Sequence, residues 1–161
     1  MQKTEHLYLF TLEVIPLIVG ELYNPLPSHL TLISRFYSHE TSEQITAMVH
    51  DLFNETRSID LLFQKSTEIG PKQTPVHIIE PSTELKLLHA KLLKILDEND
   101  VTYTQPQFIG NGWRPHVSER ENDNFITGKS QLSKYAYLIE VFIQNENHLR
   151  VVRQKFKLTS R

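Results

Sequence analysis

Two tripeptides hold the residues best suited to chemistry in this chain. His29-Leu30-Thr31 and His116-Val117-Ser118 each set an imidazole two residues before a hydroxyl, and each closely follows a proline, Pro27 or Pro115. On a β-strand, residues i and i+2 share a face about 6.5–7 Å apart along the chain. His29 then stands beside Thr31 with Leu30 turned into a core, and His116 beside Ser118 with Val117 packed behind. If the two strands face each other across a cleft, two imidazoles and two hydroxyls converge on one point. Such a set can carry acid–base chemistry at a phosphodiester. One imidazole takes a proton from the attacking water or hydroxyl, and the other protonates the leaving oxygen. Both have an ordinary pKa near 6.5, so each can hold its required state around neutral pH. The hydroxyls donate to non-bridging phosphate oxygens. This mechanism needs no metal and no cofactor.

The other possible motifs fail on spacing. Asp123 to Ser130 resembles the end of a phosphate-binding loop, but Asp123 stands where glycine is required and would repel the phosphates. His39-Glu40 lacks the second histidine of a zinc helix, since position 43 is glutamate. His6, His50, His77, His89 and His148 have no partner at metal-ligand spacing and read as surface or packing residues.

Composition narrows the rest. The 161 residues are 39% hydrophobic and 22% charged, which is globular and not disordered. With no cysteine, disulfide scaffolds, thiolate metal sites and a thiol nucleophile are excluded. A net charge of −2 argues against bulk electrostatic binding of duplex DNA. Five glycines leave little for glycine-rich loops, so chemistry falls to side chains, and there are eight histidines. The apolar run Leu7 to Val19 is too short for a bilayer and contains Glu13, so a cytoplasmic protein without membrane contact is expected.

The elements that must position the motifs follow from periodicity. Leu7 to Ile15 and His29 to Tyr37 read as strands. Thr41 and Gln44 form a capping box ahead of Ile45, Met48, Val49, Leu52 and Phe53, which fall on one helical face. Ser58 to Ile69 and Val76 to Ile79 read as strands. Leu85, Leu88, Leu92 and Leu96 mark a second helix, stopped at Asn99-Asp100. Val101 to Phe108 is extended but broken at Pro106, and Gly110-Asn111-Gly112 is a turn. Residues 119–134 read as a loop, with or without a short helix. Tyr135 to Gln144 and Leu149 to Leu158 form a hairpin about Asn145-Glu146-Asn147. This order is that of one α+β unit over residues 1–161 with mainly antiparallel sheets. The two motifs, half a chain apart and each followed by two further strands, suggest two lobes about a pseudo-twofold axis.

The paired motifs, with the chain length, element order and duplication, resemble the 2H phosphoesterase superfamily. That superfamily includes the 2′-5′ RNA ligase-like proteins and the cyclic nucleotide phosphodiesterases. The resemblance implies two antiparallel sheets in a concave V with the helices outside, the motifs lining the cleft, and His29, Thr31, His116 and Ser118 as catalytic residues. It implies opening of 2′,3′-cyclic phosphates or related nucleotide phosphodiesters, and in some members a reversible 2′-5′ ligation. The first histidine is then the proton donor and the second the acceptor. The partner is a small nucleotide or an RNA-terminal cyclic phosphate. One departure stands out: Ser118 is followed by Glu119-Arg120, where the family continues with apolar residues.

By strand parity Arg35 shares the face of His29 and Arg120 that of His116, so both are candidates to contact phosphate. Trp113 and Tyr23 lie beside the motifs as candidates to stack on a base. The alternative function is a nucleotide- or RNA-binding protein with the same cleft and little turnover. It retains both histidines, so the sequence leaves the choice open.

Overall fold

The computed structural model describes residues 4–120 and 125–160. In chain order the elements are β1 (His6–Glu13), β2 (Leu22–Tyr23), β3 (His29–Ser38), α1 (Ser42–Glu55), β4 (Ile59–Ile69), β5 (Thr74–Ile79), α2 (Thr83–Asp97) and β6 (Thr102–Tyr103). Two 3₁₀ turns, Pro106–Phe108 and Gly110–Gly112, lead to β7 (His116–Ser118), β8 (Ser130–Ser133), β9 (Tyr135–Gln144) and β10 (Asn147–Lys157). The strands are antiparallel and run in the order β2-β10-β9-β1-β3-β7-β5-β4-β8, with β6 beside β3.

The motif strands stand at the centre of this order. β1, β9 and β10 extend beyond β3, and β5, β4 and β8 extend beyond β7. The two halves are paired through a single register position, Leu30 opposite Val117. So short a seam lets the halves curl toward each other, giving the two-lobed antiparallel architecture expected, a curled half-barrel with both helices outside.

Helix α1 begins on the capping box read from the sequence: Gln44 N–H donates to the Thr41 hydroxyl, and Thr41 N–H to the Gln44 side chain. Ile45, Val49 and Phe53 of α1 and Leu85, Leu88, Leu92 and Leu96 of α2 are buried in one core with Leu30, Leu32 and Val117 and with Tyr8, Phe10 and Leu12 of β1. Since Leu30 and Val117 face the helices, alternation turns their neighbours His29, Thr31, His116 and Ser118 to the concave face. Part of that face is filled by a second cluster. Leu7, Leu9, Tyr137, Ile139 and Val152 are covered there by Leu17 and Leu26 from the β1–β3 connection.

Some boundaries differ from expectation. The stretch expected as a loop contains β8, which pairs along β4 as an edge; three of its four residues are polar and its one apolar residue, Leu132, is exposed, so it carries no buried apolar pattern. Residues 121–124 of that stretch, Asp123 among them, lie outside the described residues. The final hairpin turns in two residues, with Gln144 opposite Asn147 and positive φ at Asn145 (48°) and Glu146 (72°). That is the backbone a two-residue turn needs to match strand twist.

Candidate active site

The motifs form a two-by-two array on adjacent strands of one sheet. Leu30 opposite Val117 sets His29 beside Ser118 and Thr31 beside His116, with the two histidines on one diagonal. Diagonal neighbours in an antiparallel pair lie about 7–8 Å apart, within reach of long side chains. The expected arrangement, strands facing across a cleft, is replaced by a closer one: the seam strands are directly paired. The Ser28 hydroxyl strengthens the seam by donating to the Ser118 carbonyl at 2.9 Å.

Both imidazoles are oriented in the same way. Nδ1 of His29 lies 2.8 Å from the Pro27 carbonyl, and Nδ1 of His116 lies 2.7 Å from the Arg114 carbonyl. A carbonyl only accepts, so each Nδ1 carries the proton and each Nε2 is left to the cleft. The duplication thus extends from residue types to a shared bond to the carbonyl two residues back. Among the described residues neither the Thr31 nor the Ser118 hydroxyl has a recorded hydrogen-bond partner, so both are available to a ligand. Ser118 keeps its place despite the polar residues after it, because β7 pairs on both edges: Val76 lies opposite Ser118, and Glu119 N–H donates to the Pro75 carbonyl at 3.0 Å.

Burial and neighbouring charge act strongly on His29. His29 is only partly exposed, and dense protein around its ring pushes its pKa down to about 4. Desolvation is the largest cause and the bond to Pro27 partly opposes it, while the charges of Arg120, Arg150 and His116 lower it further. His29 is therefore neutral at pH 7 in the free protein.

Beside His116 lies an open cleft of about 320 Å³, lined by Thr31, Ser34, Ile69, Phe108, Trp113 and Arg114 among others. That is the low end of the range for small-molecule sites. Trp113 is one wall of it. One face of the indole is already stacked on His89 at 4.0 Å, and its Nε1 donates to the Thr31 carbonyl at 3.2 Å. It is braced, not a free platform. His89 is buried, with Nδ1 donating to the Leu32 carbonyl and Nε2 accepting from Gly110 N–H. It joins α2, β3 and the turn before His116. Tyr23 is not in this cleft: it packs with the second apolar cluster, and its hydroxyl accepts from Ile18 N–H.

Arg35 does reach the concave face, although the register of β1 against β3 shifts twice between them. Each shift inverts the alternation, and two restore it. Its Nη1 contacts His148 Nδ1 at 2.6 Å. Arg120 lies beyond the end of β7, yet its Nε donates to the Leu26 carbonyl and its charge is felt at His29. Sequence reasoning missed Arg150 and set His148 aside as a surface or packing residue. Both sit on β10, three strand steps from β3, and only sheet curvature brings them to Arg35. No spacing in the sequence could have signalled that.

Residues 19–146 match the model of the 2′-5′ RNA ligase superfamily. Among solved structures, one described as a phosphoesterase superimposes with a TM-score of 0.64 at 12% identity, over 96% of this chain and 99% of that one. E. coli LigT complexed with NADP+ gives 0.60 at 13% identity, over 96% and 98%. LigT complexed with 3′-AMP gives 0.60 at 11% identity, over 97% and 99%. No curated sequence matches. Among the described residues no helix is long and apolar enough to cross a membrane. With the family model covering most of its length and the fold agreeing end to end, the chain belongs to the 2′-5′ RNA ligase superfamily, the 2H phosphoesterases.

Proposed function

We propose that this protein is a metal-independent cytoplasmic phosphodiesterase that opens 2′,3′-cyclic phosphates on small nucleotides or RNA ends, residues 1–161 acting as one bilobal unit. The observation that carries the proposal is the array of His29, Thr31, His116 and Ser118, with both Nε2 atoms and both hydroxyls free on one face. The complexes of LigT with NADP+ and 3′-AMP support a small nucleotide as the ligand class.

His29, held neutral by burial and neighbouring cations, accepts a proton at Nε2 from the attacking water. His116 gives the proton at its Nε2 to the departing ribose oxygen. Thr31 and Ser118 donate to the non-bridging oxygens as charge builds there. This order reverses the one implied by the family resemblance, and its physical cause is first the burial of His29 and then the cations beside it. In the ligation direction the two roles exchange.

The test is incubation with 2′,3′-cyclic nucleotides in EDTA, followed by phosphorus NMR. Ring opening that is abolished by His29→Ala and by His116→Ala is the expected result. Tight binding without turnover across cyclic and 2′-5′-linked substrates would leave a binding protein, and a strict need for added metal would sink the mechanism.

A further inference from the structure

The concave face carries more positive charge than chemistry at the two histidines uses. Arg35 and Arg150 approach His148 from two sides. Arg35 Nη1 donates to His148 Nδ1 at 2.6 Å, and Arg150 Nη1 donates to the His148 carbonyl at 2.8 Å. A guanidinium has no acceptor, so His148 here is the neutral tautomer with its proton on Nε2, one more donor. Arg120 is close enough for its charge to act on Arg150.

Among the described residues no carboxylate lies within 4.0 Å of Arg35, Arg120 or Arg150, although Arg153 on the opposite face of β10 is paired with Glu140 at 2.8 Å. The Arg150 guanidinium is held below its ordinary pKa by burial and then by Arg35 and Arg120. Three half-buried like charges repel one another, and an anion placed among them removes that cost.

The spacing separates this anion from the one under attack. His29 lies opposite Glu13, whereas Arg35 lies between Ile33 (opposite Phe10) and Phe36 (opposite Tyr8), level with about Leu9. Four residues of β1 separate those levels, roughly 13 Å along the strand, while His116, opposite Thr31, is level with Thr11. A phosphate held between the two imidazoles is centred near the level of Leu12, roughly 10 Å from that of Arg35, farther than one phosphate group extends.

We infer that Arg35, Arg150 and His148 form a second phosphate site, which takes a phosphoryl group adjoining the cyclic phosphate. That group is either the 5′-phosphate of a nucleotide or the next phosphodiester of an RNA end. The inference rests on the phosphodiesterase reading and deepens it: the preferred substrate carries at least two phosphates.

Binding tests it without turnover. Titrate the full-length protein calorimetrically with adenosine 3′-phosphate, adenosine 3′,5′-bisphosphate and the dinucleotide ApAp. At least tenfold tighter binding is expected for the ligands with a second phosphate. Whichever of the two gains more identifies the source, a nucleotide 5′-phosphate or an RNA chain. The gain is expected to vanish in Arg150→Gln and Arg35→Gln, and to persist in Arg57→Gln, which lies outside this cluster. Thermal melting shows that each variant is folded, and Arg150→Gln should not lower Tm because it relieves repulsion. Equal affinity for all three ligands, a gain that survives Arg150→Gln, or no measurable binding overturns the site. A binding preference without ring opening on any cyclic substrate overturns the activity and leaves the site standing; ring opening with no preference does the reverse.

Discussion

Acid is the sharpest probe of His29. In the unfolded chain its imidazole titrates near 6.5; in the fold it titrates near 4. Between those values the unfolded state holds more protons, so folding stability falls as pH drops through the window. The difference amounts to about 3 kcal/mol once pH is below 4, of which about 2–3 kcal/mol is already lost at pH 4.5. At pH 7 only about one molecule in a thousand carries the imidazolium, which is why His29 suits the role of proton acceptor. Three measurements check this. NMR titration of the histidine ring protons, with His29 assigned from His29→Gln, should show one inflection near 4. Urea unfolding at pH 7 and 4.5 should show a stability loss in the wild type that His29→Gln largely abolishes. The kcat/KM profile should hold its acid limb near 4. An inflection near 6.5 would refute the electrostatic reasoning, and a tenfold fall in kcat/KM per pH unit from 5 to 7 would make His29 the donor instead.

Other perturbations act through the walls of the site. His89→Leu leaves the Leu32 carbonyl and Gly110 N–H unpaired in a buried place and should cost roughly 2–4 kcal/mol, with Trp113 fluorescence shifting as the indole loses its stacking partner. In Gly112→Ala the new Cβ would stand 2.0 Å from the Gln107 carbonyl oxygen, so the 3₁₀ turns must move. A loss of about 1–3 kcal/mol and a raised KM are expected, read from denaturant melts and steady-state kinetics. Thr41→Ala removes one half of the α1 capping box and should cost about 1 kcal/mol in urea unfolding with kcat/KM unchanged, because α1 lies on the face away from the histidines.

The residues that could do chemistry were legible because the duplication marks them twice, each time as an imidazole two residues before a hydroxyl after a proline. The helices were legible for a different reason. Ile45, Val49 and Phe53, and Leu85, Leu88, Leu92 and Leu96, repeat at the helical period because each set faces a single core. Strand β8 was not legible, since a short, mostly polar edge strand whose one apolar residue, Leu132, is exposed is held by backbone bonds to β4 and shows no buried apolar alternation. Tyr23 illustrates the limit of adjacency: it lies near His29 in the chain, but its ring was claimed by the apolar cluster under the β1–β3 connection.

Local patterns thus determined which side chains stand together on a strand face and which faces enter the core, because alternation and helical period are properties of a few consecutive residues. The tertiary structure decided how those groups are combined. It made the two motif strands direct neighbours through Leu30 and Val117, and it lowered His29 by enclosing it beside Arg120 and Arg150. It also carried β10 around the curl until Arg150 and His148 met Arg35. Burial and Coulomb interaction depend on distance in space, and residues 35 and 148 become close only when the sheet closes on itself.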